Sequence, residues 1–354
     1  MIDLFHPVYK KKGHRFMRIT RDTLLKAAKT YVMQQTMRDR HVICVYLTGS
    51  LIDDLPLLGG TADIDLVFVH DDTPPAAREI VRLTPTVHLD LAHHDQTIYK
   101  EPKKLRLDPW VGSYLIKDPI VLYGTQHWFE YVQAIVASQF SHPENVYQRA
   151  FTLVEKARQT WLDYQLNPQE ADIQHIWAYL KALEEASNAL VILNDPPLTE
   201  RRFMLDFPEK VTALGYPEMA ASLINLFIPN QEILNEISGL MKTWSQDLTK
   251  TEDEKDFPVE LHPHRLNYYT SAVEALSMDH PAAAMWILFR TWTRYALYFK
   301  DSPEKTENWF SAFRDALFLE EHFKQRLDEL DLYLDKTEEI IENWGKTNGI
   351  NFLA

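Results

Sequence analysis

Val42-Ile43-Cys44-Val45-Tyr46-Leu47-Thr48-Gly49-Ser50, then Leu51 to Thr61, then Ala62-Asp63-Ile64-Asp65-Leu66-Val67-Phe68-Val69 is the stretch on which the fold turns. Two short apolar runs rich in β-branched residues bracket a turn and a short helix, and they read as buried strands. Side chains alternate along a strand, so Asp63 and Asp65 project to one face while Ile64 and Leu66 enter the core. Two adjacent anions repel unless a cation lies between them, and oxygen donors of this kind suit Mg²⁺ or Mn²⁺. Aspartate is depleted in strands, so this pair inside an apolar run is more than surface decoration.

The order of a strand ending in Gly49-Ser50, a helix, and the Asp63-x-Asp65 strand resembles the nucleotidyltransferase superfamily, which includes DNA polymerase β and the aminoglycoside nucleotidyltransferases. The likeness covers roughly residues 20 to 125, about a third of the chain. It implies a third carboxylate on a neighbouring strand. Pro85-Thr86-Val87-His88-Leu89-Asp90-Leu91-Ala92 supplies one, with Val87, Leu89 and Leu91 on one face and His88, Asp90 and Ala92 on the other. The implied fold is α+β: an N-terminal nucleotidyltransferase domain with a small mixed sheet, followed by a large all-helical region.

The resemblance further implies NMP transfer from an NTP, ATP being the expected one, to a hydroxyl acceptor with release of pyrophosphate. Asp63 and Asp65 would hold two Mg²⁺ or Mn²⁺ ions, and Asp90 would hold the second ion near the acceptor or act as its base. The Gly49 and Ser50 amides, opening a helix, would cradle phosphates. Two departures stand out. The loop from Leu51 to Thr61 carries Asp53 and Asp54 but no Lys or Arg, so phosphate charge must be met elsewhere, and Ala62 replaces the Ser usual before the first metal Asp. Lys100 and Lys103, in the polar Tyr99-Lys100-Glu101-Pro102-Lys103-Lys104 connection, are candidate triphosphate contacts because lysine is a mobile point charge.

A chain of 354 residues exceeds the usual span of one core. The expected division is 1–125 as the catalytic domain with a basic arm, 126–250 as a helical domain, and 258–354 as a C-terminal helical segment, separate or in one bundle with 126–250. The acidic stretch Thr249 to Asp256 followed by Pro258 is the linker candidate. No apolar run reaches the length of a membrane span, and no signal-peptide core precedes the N-terminal lysines, so the expectation is a cytoplasmic protein with no membrane partner. Cys44, the single cysteine, falls in a buried strand and reads as a packing residue.

Charge is distributed unevenly. Residues 1–40 hold ten Lys and Arg against three Asp, a balance of +7, which leaves −21 for the rest of a chain of net charge −14. An acidic body disfavours long polyanions and attracts small cations. That points to a small-molecule acceptor such as an aminoglycoside and makes nucleic acid an unfavourable partner. Other readings are an RNA 3′ end or a protein as acceptor, and a catalytically inactive nucleotide-sensing or protein-interaction module. The sequence leaves the oligomeric state open.

After Asp118 to Gly124, which reads as the last strand, apolar residues recur at three- and four-residue intervals, the signature of helices. Within Pro281 to Tyr295 the aromatics Trp286, Phe289, Trp292 and Tyr295 read as core, and Arg290 and Arg294, four apart on one face, read as partners of nearby acids. The usual phosphate loop, dinucleotide fingerprint and hydrolase elbow are missing, and a single Cys with a split His93-His94 pair argues against zinc.

Overall fold

A computed structural model describes residues 19–52, 57–166, 171–251, 254, 256–317 and 319–350. The basic arm, the acids Asp53 and Asp54, and Glu252, Asp253 and Lys255 of the linker candidate lie outside the described residues.

Helix α1 runs from Arg21 to Arg38, opened by Thr20, whose hydroxyl accepts from the Thr23 amide while Thr23 bonds back to the Thr20 amide. This reciprocal cap satisfies two N–H groups that the first turn leaves without partners. Strands β1 (Val42–Thr48), β2 (Ala62–His70), β3 (Arg78–Thr84), β4 (Val87–Asp95) and β5 (Ile120–Gly124) form one mixed sheet in the order β3-β4-β2-β1-β5. Strands β2 and β4 are parallel and every other pair is antiparallel. The fold class is α+β, with the sheet confined to the N-terminal region and helices thereafter.

Strand alternation sorts the sheet's two faces. Val45, Leu47, Ile64, Leu66, Leu89 and Leu91 pack with Leu24, Ala28, Tyr31 and Val32 of α1. Opposite them, Cys44, Tyr46, Val67 and Val69 pack with Leu115 of α3 (Val111–Ile116) and with Phe129, Val132 and Val136 of α4 (Trp128–Phe140). Asp63, Asp65 and Asp90 lie on this second face. Cys44 is buried and unbridged, and burial pushes its thiol up to about 12. Helix α2 (Pro102–Leu105) is a single turn between Tyr99 and α3.

The helical region comprises α5 (Pro143–Leu166), α6 (Ile173–Val191), α7 (Phe203–Leu214), α8 (Glu218–Phe227), α9 (Ile237–Thr249), α10 (Leu266–Leu276), α11 (Pro281–Tyr298), α12 (Pro303–Leu317) and α13 (Leu319–Thr347). One apolar cluster joins them from Val146 to Ile341, with Trp286, Phe289, Trp292 and Tyr295 of α11 buried at its centre. The cluster contains residues on both sides of the acidic stretch, Thr251 is itself buried, and Lys305 donates to Glu254 at 2.7 Å. Helix α4 packs on the sheet rather than in this cluster. Among the described residues no helix is long and apolar enough to cross a membrane.

Candidate functional site

Three carboxylates meet because two strands run in parallel register. Asp65 on β2 stands level with Asp90 on β4, and Asp63 lies one pleat back on the same face, level with His88. Neighbouring strands are about 4.8 Å apart, which brings all three acids onto one small area. Beside them the chain leaves β1 through Gly49, whose φ of +76° is a left-handed conformation. A Cβ at this position would fall 1.9 Å from Asp65 Oδ2, so only glycine lets the turn lie against the carboxylate. Ser50 follows in a short 3₁₀ turn, Gly49–Leu51. From α1, Arg21 Nε donates to the Leu51 carbonyl at 3.0 Å and holds the end of that turn.

Gly49, Ser50, Asp63, Asp65 and Asp90 all line a cavity of about 390 Å³. Its far wall comes from the helical region: Thr199 to Arg202 before α7, and Arg265, Tyr268 and Tyr269 at the start of α10. Close docking holds α10 there. Gly59 approaches its backbone so tightly that a Cβ would meet the Ser271 carbonyl at 2.0 Å, and Asn267 Nδ2 donates to the Pro85 carbonyl at 3.1 Å.

Arginines set the electrostatics. Arg265 Nη2 donates to Asp63 Oδ2, and Arg265 Nη1 lies 3.7 Å from Asp90 Oδ2. Arg78 of β3 grips Asp90 with both prongs, Nε to Oδ1 at 2.7 Å and Nη2 to Oδ2 at 2.5 Å. Arg201 Nη2 donates to the Leu58 carbonyl at 2.9 Å and to Thr61 Oγ1 at 3.2 Å, with its guanidinium 3.7 Å over the Tyr268 ring. Burial raises the Asp63 carboxyl, against the lowering influence of Arg265. Burial, then the charges of Asp90 and Asp63, push Asp65 up to about 8. His88, fully buried beside Asp63 with a ring-to-ring distance of 5.7 Å to His264, is driven down to about 4 by burial and then by Arg265.

Lys100 and Lys103 do not line this cavity. Both are exposed, because the buried Tyr99, hydrogen-bonded to Tyr46 at 2.9 Å, pins the chain so that the following residues face outward. Cationic groups reach the cavity instead from Arg78, Arg201, Arg202 and Arg265, none of which belongs to a local motif. Arg290 and Arg294 pair with acids: Arg290 with Glu184 at 2.7 Å, and Arg294 with Glu200 at 3.2 Å and Glu260 at 3.7 Å.

Among the described residues, no group of three or more His, Cys, Asp or Glu is arranged to hold a metal ion. Guanidinium groups stand on Asp63 and Asp90. The donor chemistry nonetheless fits a hard divalent cation. All three ligand candidates are carboxylates, Asp63 Oδ1 is buried with no hydrogen-bond partner, and Asp65 is pressed against two like charges.

The chain matches no protein-family model, and no curated protein matches it at a significant level.

Proposed function

We propose that this protein is a metal-dependent nucleotidyltransferase that moves an NMP from an NTP, ATP being the first choice, to a hydroxyl acceptor. The convergence of Asp63, Asp65 and Asp90 beside the Gly49-Ser50 turn, all on one cavity, carries the proposal. Mg²⁺ or Mn²⁺ held by the three aspartates would neutralise phosphate charge in such a site.

The chain's own residues supply the rest. Backbone amides at Gly49 and Ser50 would bind phosphate oxygens, and Arg201 and Arg202 on the opposite wall would meet charge in place of Lys100 and Lys103, which do not line the cavity. The acceptor oxygen would attack the α-phosphorus as the bond to pyrophosphate breaks, with its proton leaving toward Asp90. Each Asp90 oxygen accepts one hydrogen bond from Arg78, which leaves a lone pair on each for the acceptor. Positioning and charge neutralisation would provide most of the rate.

The acidic body supports a small cationic acceptor such as an aminoglycoside. The cavity wall supports it less, since Asp63, Asp65, Asp90 and Glu200 face four arginines. A neutral or anionic hydroxyl compound fits that balance equally well. One observation favours the catalytically inactive sensing or interaction reading: Asp63 and Asp90 both hold arginines where an enzyme would hold metal.

Thermal shift with each of four NTPs, with and without Mg²⁺, separates these readings, because an enzyme of this kind is stabilised by nucleotide and metal jointly. Radiolabelled ATP with aminoglycosides, sugar phosphates, tRNA and bulk protein then identifies the acceptor. Stabilisation by no nucleotide, together with label on no acceptor, would leave the proposal without support.

A further inference from the structure

Arg265 has more hydrogen-bonding capacity than its present contacts use. Its side chain is 2% exposed, yet Nε and Nη1 have no hydrogen-bond partner, and the residue lines the cavity. Buried guanidinium nitrogens are costly to leave unpaired. The group is held from behind by aromatic faces, 4.6 Å from the Tyr268 ring and 5.5 Å from the Tyr269 ring. Such a platform keeps a cation in place while letting it turn. Its one hydrogen bond goes to Asp63, a carboxylate that also has a bare buried Oδ1.

A divalent cation and a guanidinium cannot both sit on Asp63 without strong mutual repulsion at this range. Phosphate oxygens, by contrast, offer a guanidinium a paired acceptor geometry that fills the unused nitrogens. We propose that Arg265 is a positioning residue that changes partners: it stands on Asp63 as an internal counter-cation in the substrate-free protein, and passes to the nucleotide's phosphates when a divalent cation takes Asp63. This rests on the nucleotidyl-transfer reading. It carries a particular thermodynamic signature: metal competes with Arg265 when nucleotide is absent, and the two cooperate when nucleotide is present. Arg265 directly precedes α10, which touches the sheet region at Gly59 and Pro85, so the exchange also reports site occupancy to the helical region.

The test uses the full chain and opposite-signed readouts. Mn²⁺ alone is titrated by electron paramagnetic resonance, and a non-hydrolysable α,β-methylene ATP with saturating Mg²⁺ is titrated calorimetrically, in wild type and Arg265→Gln. The variant is expected to bind Mn²⁺ at least tenfold tighter and the ATP analogue at least tenfold more weakly. Arg265→Lys, which retains a cation for folding, is expected to hold Mn²⁺ as wild type does and to lose nucleotide affinity with the loss of the guanidinium fork. In wild type, amide hydrogen exchange over residues 265–270 should rise with Mn²⁺ alone and fall back when the analogue is added, a readout that needs no variant to fold.

Equal or weaker Mn²⁺ binding by Arg265→Gln, or unchanged exchange at 265–270 on adding Mn²⁺, overturns the competition. Tighter Mn²⁺ binding with undiminished nucleotide affinity overturns the hand-over. A wild-type protein that binds neither Mn²⁺ nor the analogue overturns the underlying nucleotidyl-transfer reading instead.

Discussion

Two arginines tie distant parts of this chain together, and they do it differently. Arg158 on α5 reaches three acids of α13, donating to Asp331, to Asp335 at 2.6 Å and to Glu338 at 2.9 Å, with its side chain 18% exposed. Every one of its nitrogens is engaged, and solvent touches the cluster. Arg265 is almost fully enclosed, has one hydrogen bond and a longer ion pair to Asp90, and faces a cavity with Nε and Nη1 making no hydrogen bond. The first arrangement is complete as it stands and reads as a fastening between helices. The second leaves buried donors unpaired beside converging carboxylates, and the proposed function rests on that difference.

The contrast breaks if the sheet-side acids prove dispensable. Asp65→Asn is expected to lower nucleotidyl transfer about a thousandfold, roughly 4 kcal/mol in the barrier, while Arg158→Gln stays within about twofold of wild type. Pyrophosphate release from ATP in the presence of acceptor measures both. Comparable losses in the two variants would erase the distinction drawn between the clusters.

A pH scan sharpens it. Asp65 has a folded-state pKa of about 8 against an ordinary 3.8, so the folded state binds its proton more tightly than the unfolded chain does. Its contribution is therefore fully present below about pH 4 and is lost as pH rises through 8. Metal-free wild type should therefore lose unfolding free energy relative to Asp65→Asn as pH rises between those limits, the lowered histidines His88, His93 and His264 being common to both proteins. Denaturant melts of both proteins at pH 5 and pH 8 provide the comparison, and a wild type that gains stability relative to Asp65→Asn over this range contradicts the assignment.

Gly49 and Gly60 form a finer pair, since both have left-handed φ, +76° and +73°, but only Gly49 abuts another group. Gly49→Ala is expected to cost about 2 kcal/mol or more, strain plus collision with Asp65, and Gly60→Ala about 1 kcal/mol, strain alone. Equal thermal destabilisation would mean that the turn does not rest on the carboxylate. Arg158→Gln should likewise cost about 1 kcal/mol, because a partly solvated ion network gains little over hydration. A loss several times larger would make Arg158 a buried keystone rather than a fastening.

Much of the site's framework was readable from local pattern. The β-branched run of β1, the alternation that put Asp63 and Asp65 on one face, and the third acid Asp90 all depend on the two-residue period of a strand, which is a property of the chain itself. The buried aromatics of α11 follow in the same way from helical spacing. Lys100 and Lys103 lie outside the cavity because the anchoring of Tyr99 points the following lysines outward, a placement that charge and local pattern do not encode.

By itself, then, the sequence determined which residues alternate and which faces are apolar, because strand and helix periods are set by backbone geometry alone. Only the tertiary structure decided where the counter-charge comes from. Arg78 lies within the sheet region, but Arg201 and Arg265 are carried in by a helical region whose own apolar core seats the start of α10 against β2 and β4. Asp63 and Arg265 are 202 residues apart, and no spacing rule spans that distance. A contact of that kind exists only once the burial of hundreds of apolar atoms elsewhere has fixed where the two backbones meet.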